Sequence, residues 1–221
     1  MSDDSFIREV NEELRQDQLK SLWKRFGPVV IGGAALIVLG TAAYVAYESW
    51  TTSRANQAGD QFAQALDLAA QGKTEEAVAK LDELRQGGVS TYPMLARMRE
   101  ATILADAGKA AEAIAAFDEV ANDSSAPGVF RDMARLRAGM LLVDNGTYAD
   151  VAARVESMTA DSNPMRHSAR EILALAAWKD GNRETALSLF EQILNDSEAP
   201  AGVRERAEMM AELISGTGSG S

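Results

Sequence analysis

The chain has 221 residues, with 33 acidic side chains against 22 Lys and Arg, for a net charge of −11. A surface this acidic repels phosphate backbones, so nucleic acid is excluded as an expected partner. There is no cysteine and only one histidine, His167, which excludes disulfides, thiolate chemistry, Cys-type zinc sites and His clusters.

Ala, Leu, Glu, Arg and Met dominate, and these residues lose little freedom in a helix, so an all-α protein is expected. Residues 1–26 read as a short cytoplasmic amphipathic helix, with Leu14, Leu19, Leu22, Trp23 and Phe26 roughly on one side. A membrane-surface helix leading into a span fits this pattern, and a partner-docking segment competes with it.

Residues 27–47, "GPVVIGGAALIVLGTAAYVAY", carry no charge. At about 1.5 Å per residue the run reaches roughly 31 Å, the thickness of a hydrocarbon layer. Pro28 falls where a first-turn proline is tolerated. Tyr44, Tyr47 and Trp50 cluster at the far end, as interfacial aromatics do. A retained transmembrane helix is expected. A buried core helix and a cleavable signal peptide compete, the latter because Thr41-Ala42-Ala43 loosely resembles a cleavage site. The run begins further from the start than an ordinary signal peptide does.

Arg15, Lys20, Lys24 and Arg25 precede the run and only Arg54 follows closely. Positive residues stay inside, so the N-terminus is expected in the cytoplasm and the remainder across the membrane. Five basic and six acidic residues in 1–26 leave −10 of the −11 beyond it. A connector helix is expected over 48–56.

Beyond it the chain repeats. Gly72, Gly108, Gly146 and Gly181 recur at spacings of 36, 38 and 35, each between two apolar helical stretches. Each therefore reads as the turn of a helical hairpin. Seven residues before these glycines stand Ala65, Ala101, Gly139 and Ala174. Five after stand Ala77, Ala113, Val151 and Ala186, and four further on stand Leu81, Phe117, Val155 and Phe190. Small residues at fixed places let paired helices approach closely, and the large residue fills the space below the next pair. Pro93, Pro127, Pro164 and Pro200 fall between hairpins, where helices begin. "AIAAFDEVANDSSAPGVFRDMA" at 113–134 is echoed 73 residues later by "ALSLFEQILNDSEAPAGVRERA". Its Asn-Asp-Ser is expected to end one helix and supply capping oxygens for the next.

These spacings resemble a tetratricopeptide-repeat array over residues 57–214, with four hairpins and a closing helix at about 200–214. The family's tryptophan position is occupied here by Gln61, Arg97, Arg135 and Arg170, and Val151 replaces the usual alanine. The last residues, 215–221, read as a flexible tail.

The basic "KRF" before a Gly-rich span, the aromatics at its exit, the small repeat domain and "TYPMLA" at 91–96 together resemble the ancillary subunit family of the bacterial SecYEG translocon. That family is anchored in the inner membrane with its repeats in the periplasm. The resemblance implies association with the SecYEG translocon, with a membrane-anchored periplasmic prolyl isomerase and with translocating polypeptides, besides the lipid bilayer. A structural scaffold for an envelope or cell-division complex is the alternative.

No enzyme motif stands out, and no catalytic residue, metal or cofactor is expected. "GTGSGS" at the end follows no strand and opens no helix, so it is no dinucleotide fingerprint. Asp118 and Glu119 read as a solvated helix surface, and His167 as structural or exposed. Asn122, Asn145 and Asn195 match a glycosylation pattern but read as turn chemistry. By repeat register, first-helix positions Phe62, Leu66, Leu95, Met98, Met133, Leu136, Met140, Leu175 and Trp178 line a concave groove. Methionines suit a promiscuous surface. The competing reading is that all nine fill the interior of the superhelix. Lys and Asn clamps for acidic tails are absent.

Overall fold

A computed structural model describes residues 3–89 and 91–216, with side chains from Trp23 onward together with that of Lys20. The described residues form nine α-helices and no strand. They are α1 (Asp3–Ala70), α2 (Thr74–Gly87), α3 (Tyr92–Asp106), α4 (Ala110–Asn122), α5 (Gly128–Asn145), α6 (Tyr148–Val155), α7 (Arg166–Lys179), α8 (Arg183–Leu194) and α9 (Ala201–Gly216). A 3-10 turn, Glu156–Met158, follows α6. The chain is all-α, and it divides into two compact units, Met1–Arg54 and Ala55–Ser221.

In the first unit the expected cytoplasmic helix, span and connector are parts of one helix, α1. Pro28 therefore lies inside a helix rather than in its first turn. The ring removes one N–H from the ladder. The apolar residues that follow keep their backbone bonds within the helix. By length and composition, Trp23–Ala70 holds a stretch able to cross a membrane. Val29, Leu36, Ile37 and Leu39 are 67–72% exposed, and Tyr44, Tyr47 and Trp50 are exposed beyond them. Tyr47 and Trp50 ring centroids stand 6.5 Å apart, and the Arg54 guanidinium lies 4.4 Å from the Trp50 centroid.

In the second unit each core cluster bridges one hairpin and the next. Ala58 and Ala65 at the end of α1 pack with Ala77, Leu81 and Leu84 of α2 and with Ala96 and Ile103 of α3. Ala101, Phe117, Val120 and Ala121 of α3 and α4 pack with Ala134 and Ala138 of α5. The largest cluster runs from Leu142 through Val151, Val155, Phe190 and Ile193 to Ala207 and Ile214 of α9. A single hairpin cannot bury both of its apolar faces, and stacking does it.

The three fixed register positions around every turn glycine are buried in all four hairpins, from Ala65 to Phe190. At Gly139 an added Cβ would lie 2.8 Å from Val155 Cγ1. Gly139→Leu should therefore destabilise the domain by about 1–3 kcal/mol through overpacking, read as a lower urea midpoint.

Three of the four turn glycines use the left-handed region, with φ of 76° at Gly72 and Gly108 and 83° at Gly181. There a side chain would strain the backbone, and glycine removes that strain. Gly146 also sits in its hairpin turn but differs from the other three, with φ −141°. The second helix of the third hairpin, α6, is started by Thr147. Its hydroxyl accepts from the Asp150 N–H, and the Asp150 carboxylate accepts from the Thr147 N–H at 2.9 Å, a capping box. The Thr147 hydroxyl, which donates to the Asp150 carboxylate at 2.7 Å, and the Thr147 N–H together hold the Asp150 carboxyl below its ordinary range.

Two further expectations are corrected. The Asn-Asp-Ser segments do not supply a side-chain cap for α5, whose N-cap Pro127 has none. Asp123 instead accepts from Ser125 N–H at 2.9 Å and from its hydroxyl at 2.6 Å, closing its own turn. In the expected tail, Ser215 and Gly216 belong to α9, and residues 217–221 lie outside the described residues.

Candidate functional site

The nine groove positions sit on the first helices of the hairpins, namely the end of α1, α3, α5 and α7, and they differ in exposure. Leu95, Met133, Met140 and Trp178 are 36–47% exposed. Phe62, Leu66, Met98, Leu136 and Leu175 are half-buried. Phe62 packs on the first core cluster, with its ring 6.3 Å from that of Tyr92. Met98 packs on the second cluster, and Leu136 and Leu175 on the third. The half-buried residues are thus distributed over three cores rather than gathered in one patch. Met133 and Met140 lie seven residues apart and share a face of α5. Val129, four residues before Met133 and 55% exposed, extends that stripe. The sequence reading missed Val129 because it precedes the repeat positions used for the register.

The arginines in place of the family's tryptophan have a definite task. Arg97 donates to the Asp123 carboxylate. Arg135 donates to the Ala121 carbonyl at 3.3 Å and to Asp132. Arg170 donates to the Thr159 carbonyl and to Asp161, with Asp196 at 3.8 Å. Each joins a first helix to the chain that leaves a second helix, where unpaired carbonyls favour a cation. The offset is legible in the sequence, since each arginine stands eleven residues before its turn glycine. Ser125 and Arg97 together pull the Asp123 carboxyl down to about 2.

The last hairpin carries the densest polar cluster. Arg166, His167, Arg170 and Glu171 of α7 are all buried. Asp196, in the turn after α8, faces the three basic residues. It accepts from Arg166 Nε at 2.8 Å and stands 2.8 Å from His167 Nε2. Arg166 and the Glu198 N–H hold its carboxyl far below the usual range. His167 is thereby structural, and its partner is two elements away. Asp118, expected to be solvated, accepts from Arg154 Nη2 at 2.8 Å.

Glu171 accepts from Arg206 of α9 at 2.6 and 2.8 Å, a two-point contact that fastens the closing helix. The two partners are unequally exposed, with the Glu171 side chain at 9% and Arg206 at 56%. Arg206→Ala would strand a buried carboxylate and should cost about 2 kcal/mol, while Glu171→Gln leaves a cation that can turn to water and should cost less than about 1. Urea titrations of the two variants measure the asymmetry.

Among the described residues, no group of three His, Cys, Asp or Glu could hold a metal ion.

Three comparisons set this architecture among known proteins. A family model described as a tetratricopeptide repeat-like domain matches residues 20–171. No curated protein and no solved structure matches the chain.

Proposed function

The chain belongs to the tetratricopeptide repeat-like domain family, and from that premise we propose a membrane-tethered module that serves the SecYEG translocon as an ancillary subunit. The family's repeats are protein-interaction modules. Attachment to the Sec channel is our own reading, as is the inner-membrane location. One observation carries the tether. An uncharged, exposed run of about membrane thickness stands directly ahead of the repeats, and the family match opens at residue 20, before that run. Exposed apolar surface on this scale marks a membrane or partner contact.

The basic residues ahead of the run and their scarcity after it put the N-terminus in the cytoplasm and the repeats in the periplasm. Tethering turns a bimolecular encounter into a local one, with effective concentrations up to about the millimolar range. A weak apolar surface then suffices, and the exposed Met133, Met140 and Trp178 supply one that adapts to varied shapes. The module binds rather than catalyses. Its partners are the SecYEG channel, a membrane-anchored periplasmic prolyl isomerase and translocating polypeptides.

The test is brief cross-linking in intact cells, followed by purification of the full-length chain in mild detergent and identification of the adducts. Channel subunits and a prolyl isomerase are expected. Adducts confined to envelope-assembly or cell-division proteins would instead favour a structural scaffold. A mature N-terminus near Tyr44 would show a cleaved leader and contradict the tether.

A further inference from the structure

Residues 18–47 contain no Asp or Glu, and Lys20, Lys24 and Arg25 stand together near the start of that stretch. On a helix a side chain meets its neighbours three and four residues away. Lys24 has Lys20, Ser21, Gly27 and Pro28 at those places, so no carboxylate of its own helix can neutralise it. The arginines of the repeats differ, since Arg97, Arg154 and Arg166 each hold a carboxylate. Lys20, Trp23, Lys24 and Gly27 fall on one face of α1, and that face continues through Ile31 and Ala34 into the uncharged run. The Trp23 indole lies against Gly27, where an added Cβ would be 3.4 Å from two of its ring atoms. Gly27 is buried beneath it, while the indole is 62% exposed and Lys24 is exposed beside it. Arg25 belongs to another face, with its guanidinium carbon 5.8 Å from the Phe26 centroid.

Pro28 refines the ligand. It has no N–H to give the Lys24 carbonyl four residues back, so that oxygen is left to accept from another donor. Two ammonium groups, an acceptor and an indole thus meet where the charged and uncharged parts of α1 join. Anionic headgroups attract cations placed just outside a span, and indoles sit at headgroup level. We propose that this face binds one phospholipid with an anionic, hydroxyl-bearing headgroup, of the phosphatidylglycerol class. Its phosphate pairs with Lys24 and Lys20, a headgroup hydroxyl donates to the Lys24 carbonyl, and an acyl chain runs along Trp23, Ile31 and Ala34. The inference rests on the membrane-tether reading and adds the class of lipid that the tether selects.

The test uses the full-length protein in detergent micelles doped with equimolar pairs of lipids, and native mass spectrometry reads the lipid that each chain retains. Phosphatidylglycerol should be retained about fivefold to tenfold over phosphatidylethanolamine. It should be retained about twofold to threefold over phosphatidylmethanol, which has the same charge and no headgroup hydroxyl. Lys24→Gln should remove most of the first preference, and Lys24→Arg should keep it. Arg25→Gln removes an equal charge from the other face and should leave both preferences nearly unchanged. Pro28→Ala supplies an N–H to the Lys24 carbonyl and should erase only the second preference. Excess glycerol 1-phosphate should not displace the lipid, because the acyl chain is part of what is bound. Circular dichroism of the variants shows whether the helix is kept. Equal retention of the lipids, equal effects of Lys24→Gln and Arg25→Gln, a hydroxyl preference that survives Pro28→Ala, or displacement by glycerol 1-phosphate would each overturn the proposal. Equal retention by a chain that still sediments with membranes would remove this site and leave the tether standing. A mature N-terminus near Tyr44 would remove both.

Discussion

Phe190→Ala should destabilise the repeat domain by about 3–5 kcal/mol and lower its melting temperature by roughly 10 °C. The side chain is fully buried, at 0% exposure, in the cluster shared by α5 to α9. Removing it loses the transfer energy of the ring. It also leaves a cavity, because α7, α8 and α9 are held in place by polar contacts outside that space. Phe117, its equivalent two hairpins earlier, is 2% exposed and should behave alike. Met209→Ala is the control. Met209 is 66% exposed on α9, and its truncation should stay within about 0.5 kcal/mol. Helicity followed through urea and thermal unfolding of the detergent-solubilised chain gives all three values. A Phe190→Ala effect as small as that of Met209→Ala would mean that the repeat register is wrong.

Asp196→Ala should be the most damaging of the surface-turn substitutions, and clearly worse than Asp123→Ala. The two aspartates are repeat equivalents 73 residues apart and close the same kind of turn, through the Ser125 and Glu198 N–H groups at 2.9 Å each. They differ in what they face. Asp123 holds one guanidinium, that of Arg97. Asp196 faces Arg166, His167 and Arg170, whose side chains are 11%, 9% and 6% exposed. Without it three buried basic groups share only the exposed Glu198 and Asp161.

The pH dependence follows from the same pairs. Both carboxyls are held below their ordinary value, Asp123 at about 2 and Asp196 lower. Their stabilisation is therefore complete above the unfolded-state value near 4. It is lost as the pH falls from there through the folded-state values. Urea midpoints at pH 6, 4 and 3 should show each variant furthest below wild type at pH 6, with the gap narrowing in acid. A gap that widened in acid would contradict the assignment.

What was legible in the sequence was the repeat. Ala65, Ala113 and Phe190 could be placed because stacked hairpins impose one period on small and large apolar residues, and burial follows that period. Pro28 was misleading because proline usually starts a helix, whereas an apolar run sustains one around it. Gly146 marks its hairpin turn as expected, but a glycine marks a turn without fixing φ, and Thr147 with Asp150 did the capping. The turn aspartates were assigned to the wrong helix because a carboxylate accepts from whichever donor the tertiary fold delivers. Arg97 and Arg170 were delivered by the first helix of the same hairpin, 26 residues away in each case. The groove positions followed from register alone. Register does not determine how far Met98 or Leu136 sinks into a core, so exposure separates Leu95, Met133, Met140 and Trp178 from the other five.

The most direct measurement is site-specific photo-cross-linking in living cells, with the reactive group placed in turn at Met133, at Met140 and at Glu119, which is exposed on the second helix of its hairpin. Adducts with translocating polypeptides should form from Met133 and Met140 and not from Glu119, and they should weaken when Met133→Glu or Met140→Glu is introduced at the unlabelled position. Adducts of equal strength from Glu119, or adducts unchanged by the added charges in a folded protein, would contradict an apolar first-helix face as the binding surface.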